Sequence, residues 1–183
     1  MNFIITGCAS AGKTTLINYL AELGYLCHEE VSRKVIKKQL LQESSAVPWE
    51  DTEQFCHLVF KEMAKIPLPL SKSPCFMDRG LPDLIAYLKA VDAAVPPEYY
   101  AALKNANYAP IAFLLEPNQA IYVNDSERQE SYEEAVFFFN AIKKTYQLLG
   151  FKLYSIPLMP VGLRAKFVLK IIELSSSSKY ISC

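Results

Sequence analysis

Long apolar runs are missing from this chain: nothing in its 183 residues approaches the eighteen or so consecutive apolar residues of a membrane span. The N-terminus also lacks a basic flank and cleavage site, because an apolar run begins at Phe3, so a cytoplasmic protein is expected. Charge of one sign is missing too. Nineteen basic and nineteen acidic residues cancel, so no global field draws nucleic acid or an anionic membrane, and any anion site must be local. No pair of the five cysteines (Cys8, Cys27, Cys56, Cys75 and Cys183) forms Cys-x-x-Cys. A zinc site or disulfide frame is thereby disfavoured, and they read as small buried residues, Cys8 in a loop that tolerates it. His28 and His57 lack partners at metal or triad spacing. Repeats and interdomain linkers are absent, so we expect one domain over 1–175 and a frayed tail over 176–183.

Glycine is scarce, yet two of the six glycines lie in one stretch, Gly7-Cys8-Ala9-Ser10-Ala11-Gly12-Lys13-Thr14. This is the spacing of a phosphate-binding loop, in which the backbone curls so that amides point at phosphates while a helix N-terminus adds its positive end. Lys13 would reach the β and γ phosphates of a triphosphate and Thr14 would hold Mg²⁺, with Thr15 beside it. Both flanks fit: Phe3-Ile4-Ile5 reads as a buried strand, and Leu16, Ile17, Leu20 and Leu23 recur at helical spacing up to Gly24.

Strands and helices then alternate. Tyr25 to His28 reads as a strand, Val31 to Gln42 and Glu50 to Lys65 as helices, and Cys75-Phe76-Met77 as a strand ending at Asp78. Pro82 sits just inside a helix ending near Val91, and Pro96 and Pro97 introduce a shorter one. Ile111 to Leu115 is a strand, Ser131 opens a long helix to Leu149, Lys152 to Ile156 is a fifth strand, and a last helix spans about 161–174. This alternation predicts an α/β fold, a five-stranded parallel sheet flanked by helices, with ligands at the carboxyl ends of the strands.

Chemistry should therefore gather after the strands. Asp78 stands where phosphate-loop proteins place the carboxylate for Mg²⁺, and Arg79 offers a bidentate fork for phosphate. Glu30 ends the second strand, where a carboxylate could take a proton from an attacking hydroxyl; Glu29 is equally available, but strand alternation turns only one inward, and Glu30 is preferred. Arg33 could touch an acceptor. The polar segment from Asn124 to Gln129 lies where a short lid would close, with Arg128 as the cation over the transferred phosphoryl group. Arg164, after the fifth strand, lies where such folds contact the base. Trp49 and the Phe137 to Phe139 run read as packing. No Asn-Lys-x-Asp guanine motif and no Asp-Glu pair at the third strand occur, which disfavours signalling GTPases and motor-type ATPases.

At these residues the chain resembles the small phosphate-loop family, grouped with AAA-type ATPases, that includes the ribosylnicotinamide kinase domain of the NadR proteins. The resemblance is carried by the Gly7 to Thr14 loop, Glu30 with Arg33, the string Asp78-Arg79-Gly80-Leu81-Pro82-Asp83 with Tyr87, the Asp125 to Arg128 segment, the Tyr146 to Gly150 helix end, and Arg164 with Phe167. It implies a fold like that of nucleoside and nucleotide kinases, with ATP and Mg²⁺ as ligands. The expectation is a Mg²⁺-dependent kinase acting on a small hydroxyl-bearing acceptor, a nucleoside among the candidates, with no nucleic-acid partner. The alternative is a nucleotide-gated binding protein that hydrolyses slowly.

Overall fold

The computed structural model describes residues 1–66, 73–122 and 130–177. Its strands β1 (Asn2–Gly7), β2 (Leu26–His28), β3 (Cys75–Asp78), β4 (Tyr108–Leu115) and β5 (Lys152–Ser155) form one parallel sheet in the order β2-β3-β1-β4-β5. Between them run α1 (Lys13–Glu22), α2 (Val31–Leu41), α3 (Thr52–Met63), α4 (Leu81–Ala90), α5 (Pro97–Asn105), α6 (Tyr132–Leu148) and α7 (Val161–Ser177).

Every residue of β1 is buried, Asn2 and Thr6 included, because a central parallel strand is covered on both faces and so reads as an unbroken apolar run. Asn2 is accommodated by donating its side-chain amide to the Ala106 carbonyl at 2.9 Å. Helices α1 and α7 pack together, as do α4 and α6. One core cluster joins the sheet to α1, α6 and α7 through residues such as Leu16, Ile142 and Val168; a second, around Phe55, Ile85 and Tyr99, joins α2 to α5.

Most elements fall within a residue or two of their expected bounds, and three departures are informative. Strand β4 starts at Tyr108 rather than Ile111 and passes through Pro110. The register between β1 and β4 slips there, and pairing with β5 begins only at Ile111, so the missing N–H of Pro110 falls at an irregularity where the ladder does not need it. A single 3-10 turn, Gln119–Ile121, interrupts the polar segment after β4, held by the Asn118 side chain accepting from the Ala120 amide at 3.0 Å. Helix α7 continues through the serines to Ser177, with the Ser175 hydroxyl donating back to the Ile171 carbonyl at 2.8 Å.

Because the sheet is parallel, the ends of all five strands share one edge. The chain leaves β1 for β2 and β3 on one side and reaches β4 and β5 on the other. The carboxyl end of β1 is thus the switch point at which a crevice opens in such sheets.

Candidate functional site

The loop after β1 occupies that crevice. Gly7 takes φ 125° and Gly12 φ 85°. A Cβ on Gly7 would lie 2.1 Å from the Leu115 carbonyl oxygen of β4, so the turn leaving the strand admits only glycine. Ser10 also adopts positive φ, 56°, while Cys8, Ala9 and Ala11 are buried. The Cys8 amide donates to the Leu115 carbonyl at 3.0 Å and so ties the loop to β4. Lys13 is buried and curls over the loop, its Nζ donating to the Cys8 carbonyl at 2.7 Å and toward that of Gly7 at 3.4 Å. Thr14 and Thr15 are exposed to the cleft formed with Ser10, Glu30 and Arg33.

The two strand-end carboxylates have opposite electrostatics. Asp78 accepts from the Thr14 hydroxyl at 3.1 Å through Oδ2. Burial first, and the Glu30 charge second, push its carboxyl up to about 6, against the pull of Lys13 and Arg79. Burial also opposes ionisation of Glu30, but there Arg79, then Lys13, then the Ser32 hydroxyl outweigh it and hold the carboxyl down at about 2. Glu30 turns inward and accepts from Arg79 Nε at 2.9 Å and from Ser32 at 2.7 Å, with Arg33 Nε 3.4 Å away. Glu29 lies at the surface, paired with Lys34 at 3.0 Å.

Asp78 Oδ1 is buried without a hydrogen-bond partner among the described residues. An orphaned carboxylate oxygen beside a hydroxyl is what a hard cation accepts. Mg²⁺ commonly takes only one or two protein oxygens and completes its octahedron with phosphate and water. Thr14 and Asp78 therefore fit that ion. No group of three or more His, Cys, Asp or Glu among the described residues makes a metal cage.

Arg79 is more tightly engaged than a free phosphate fork would be. It sits in the left-handed region at φ 67°, and its Nη1 donates to Asp83 at 3.2 Å while Nε holds Glu30. Asp83 is itself a buried hub. Its Oδ2 accepts from the Gly80 amide at 2.9 Å and the Tyr146 hydroxyl at 2.5 Å, and its Oδ1 accepts from the Thr6 hydroxyl as well as Arg79. The spacing of Gly80 and Asp83, at the start and third position of α4, was the available signal for this role, but it speaks only to helix capping; the partners on β1 and α6 are brought in by the fold.

Three hollows adjoin along the edge. Ala11, Glu116, Asn118, Ser155 and Arg164 line the first. There Arg164 donates to the Met159 and Ala11 carbonyls at 2.7 and 3.2 Å, so it braces the loop as well as facing the hollow. The loop and Glu30 line the second. The third lies beyond Glu30 and Asp78, between Arg79, Tyr87 and an apolar wall that contains Trp49 and Phe55. Trp49 thus does more than pack: it lines a cavity that opens on the carboxylates. Phe138 supports the same cavity by stacking on Tyr87, centroids 4.4 Å apart. Arg128 and the rest of the expected lid lie outside the described residues. The structure brings Lys13, Thr14, Glu30, Asp78 and Arg79 together, with Arg164 at the far side of the loop.

A parallel sheet carrying a glycine-lysine loop at the end of its central strand, with an Asp-Arg pair on the strand beside it, defines a phosphate-loop protein of the nucleoside and nucleotide kinase fold. The family model for the AAA domain matches residues 2–164, and the chain belongs to that family. Among solved structures, a deoxyadenosine kinase from M. mycoides with dCMP and dCDP superposes with a TM-score of 0.60 at 15% identity, covering 94% of this chain and 98% of that one. Thymidylate kinase from Candida albicans gives 0.59 at 14% identity, covering 96% and 92%. The NadR protein in complex with NR gives 0.57 at 18% identity, covering 93% of this chain and 50% of that one. Curated proteins yield no sequence match.

Proposed function

We propose that the protein is a kinase that transfers the γ-phosphoryl group of ATP to a hydroxyl of a small acceptor, with a nucleoside as the first class to test. The observation that carries this reading is the adjacency of the loop cleft and a separate hollow across Glu30 and Asp78, which leaves room for a donor and an acceptor on either side of one reacting centre. Solved structures of like fold include kinases named for a nucleoside and for a nucleotide, which supports phosphoryl transfer in general.

In this reading the loop amides cradle the triphosphate, and Lys13 exchanges its contacts with the Gly7 and Cys8 carbonyls for phosphate oxygens. Arg164 and the hollow around Asn118 take the base. Bound at Thr14 and Asp78, Mg²⁺ would supply neutralisation of the phosphate charge. Glu30, ionised and fixed by Arg79, accepts a hydrogen bond from the acceptor hydroxyl and aims it. A carboxyl held at about 2 is a weak base toward a free hydroxyl, so Glu30 first orients the acceptor and takes its proton only late, as the acceptor oxygen bonds to phosphorus and the bond to the ADP oxygen breaks. Arg79 and Arg128 offset the developing charge.

Purified protein with MgATP and a panel of nucleosides should release ADP above its acceptor-free rate with at least one of them, together with a phosphorylated product. Steady ADP release that no acceptor accelerates would point to a hydrolase or a slow nucleotide switch and reject the kinase.

A further inference from the structure

Resting on that kinase reading, we infer that Asp83 is a positioning residue for phosphoryl transfer: it holds Arg79 as a bridge between two carboxylates and so keeps one guanidinium nitrogen free for the transferred group. Arg79 donates from Nε to Glu30 at 2.9 Å and from Nη1 to Asp83 at 3.2 Å. Its remaining nitrogen, Nη2, has no hydrogen-bond partner among the described residues and is not sealed from solvent, and Arg79 lines the hollow beyond Glu30. That open end of the fork is the one a ligand can use.

The Arg79 backbone does not impose this arrangement. Its amide is held by the Ile5 carbonyl of β1 at 3.0 Å, but a long flexible side chain does not keep one direction unaided, and a non-glycine residue stays at a φ of 67° only where its surroundings fix it. Asp83 is the rigid partner. It is 1% exposed and lies one helical turn beyond Arg79, its carboxylate fixed in turn by the Gly80 amide and the Tyr146 and Thr6 hydroxyls. Thr6 immediately precedes Gly7, so the same carboxylate ties the guanidinium to the loop that would hold the triphosphate. Without this second acceptor, Arg79 would pair fork to fork with Glu30, the geometry that a guanidinium and a carboxylate prefer. Nη2 would then turn onto Glu30, away from the transferred group, and occupy an oxygen that aims the acceptor hydroxyl. Misplacing a donor by about 1 Å is enough to cost ~10²-fold in rate.

The test needs no acceptor. The full chain is titrated calorimetrically with MgADP, alone and with aluminium fluoride, which mimics the phosphoryl group in transfer; in the parent, aluminium fluoride should tighten binding at least about tenfold. Asp83→Asn should bind MgADP alone within about threefold of the parent yet lose most of that gain, by at least about tenfold. Tyr146→Phe strips a donor from the same carboxylate but leaves Arg79 on it, so this variant should keep the gain within about threefold of the parent. No gain in the parent, equal losses in the two variants, or a loss in Asp83→Asn that falls as heavily on MgADP alone would overturn the inference. Should Asp83→Asn not fold, a crystal of the parent with MgADP and aluminium fluoride decides the same point: Nη1 must remain on Asp83 with Nη2 on fluoride, and a guanidinium that has left Asp83 rejects the role. The two readings fail separately. A phosphorylated nucleoside together with an unchanged gain in Asp83→Asn removes the positioning role alone. A gain lost in Asp83→Asn, with ADP release that no acceptor accelerates, keeps the role, since water then takes the phosphoryl group, and removes the kinase.

Discussion

Asp78 and Glu30 share one crevice yet are displaced in opposite directions, and the difference can be read as stability. The Asp78 carboxyl is raised from 3.8 to about 6. Its fold-stabilising contribution is therefore complete below its unfolded value and is lost as pH rises toward 6, so that in the nucleotide-free protein at pH 7 the ionised group is a burden of up to ~3 kcal/mol. Glu30, lowered from 4.5 to about 2, does the reverse: its contribution is present above 4.5 and disappears as pH falls toward 2. Asp78→Asn should accordingly raise the stability of the nucleotide-free protein at pH 7 by ~1–3 kcal/mol in urea denaturation, with the advantage gone by about pH 4. A variant no more stable than its parent at pH 7 would contradict the assignment. That Lys13, Thr14 and Asp78 belong to one site was legible from motif and strand ends. The choice of Glu30 over Glu29, and the place of Trp49 in a cavity wall, depended on which way a side chain turns in three dimensions.

Local sequence rules account for most elements because their signals are carried within a few residues. Ser131 and Glu134 form a reciprocal cap at the start of α6, with bonds of 3.1 and 2.7 Å, and Asp51 caps α3 by accepting from the Gln54 amide at 2.9 Å. The start of β4 at Tyr108 is not legible locally, because a proline inside a run argues against a strand and only the register slip against β1 makes Pro110 harmless there. Helix α7 runs on to Ser177 because a helix already formed carries serine in its last turn despite that residue's low propensity. The junction of β1 with its loop is the least tolerant point. Replacing Gly7 with alanine would put a methyl group 2.1 Å from a β4 carbonyl at a φ of 125°, and neither backbone can yield without opening the β1–β4 pairing. Gly7→Ala should lower the unfolding free energy by more than ~2 kcal/mol in chemical denaturation; a loss within ~0.5 kcal/mol would show that the turn relaxes.

Across the whole molecule, Asp83 joins layers that are remote in the chain: Thr6 on β1, Arg79 after β3, the start of α4, and Tyr146 on α6. Tyr146 is fully buried, so removing its hydroxyl leaves a buried carboxylate short of one donor. Tyr146→Phe should destabilise the protein by ~1.5–3 kcal/mol, as expected for a hydrogen bond to a charged group. Equal denaturation midpoints for the two proteins would show that the hub does not depend on α6. By itself the sequence determined the parallel α/β class, the phosphate loop and the residues at each strand end, because periodicity, glycine spacing and strand termination are local and each follows from backbone geometry. Only the tertiary structure decided the strand order, the Arg79 ion pairs, the Asp83 hub and the apolar hollow behind Glu30. These arise from groups tens of residues apart whose burial and mutual charge have no counterpart in the linear chain.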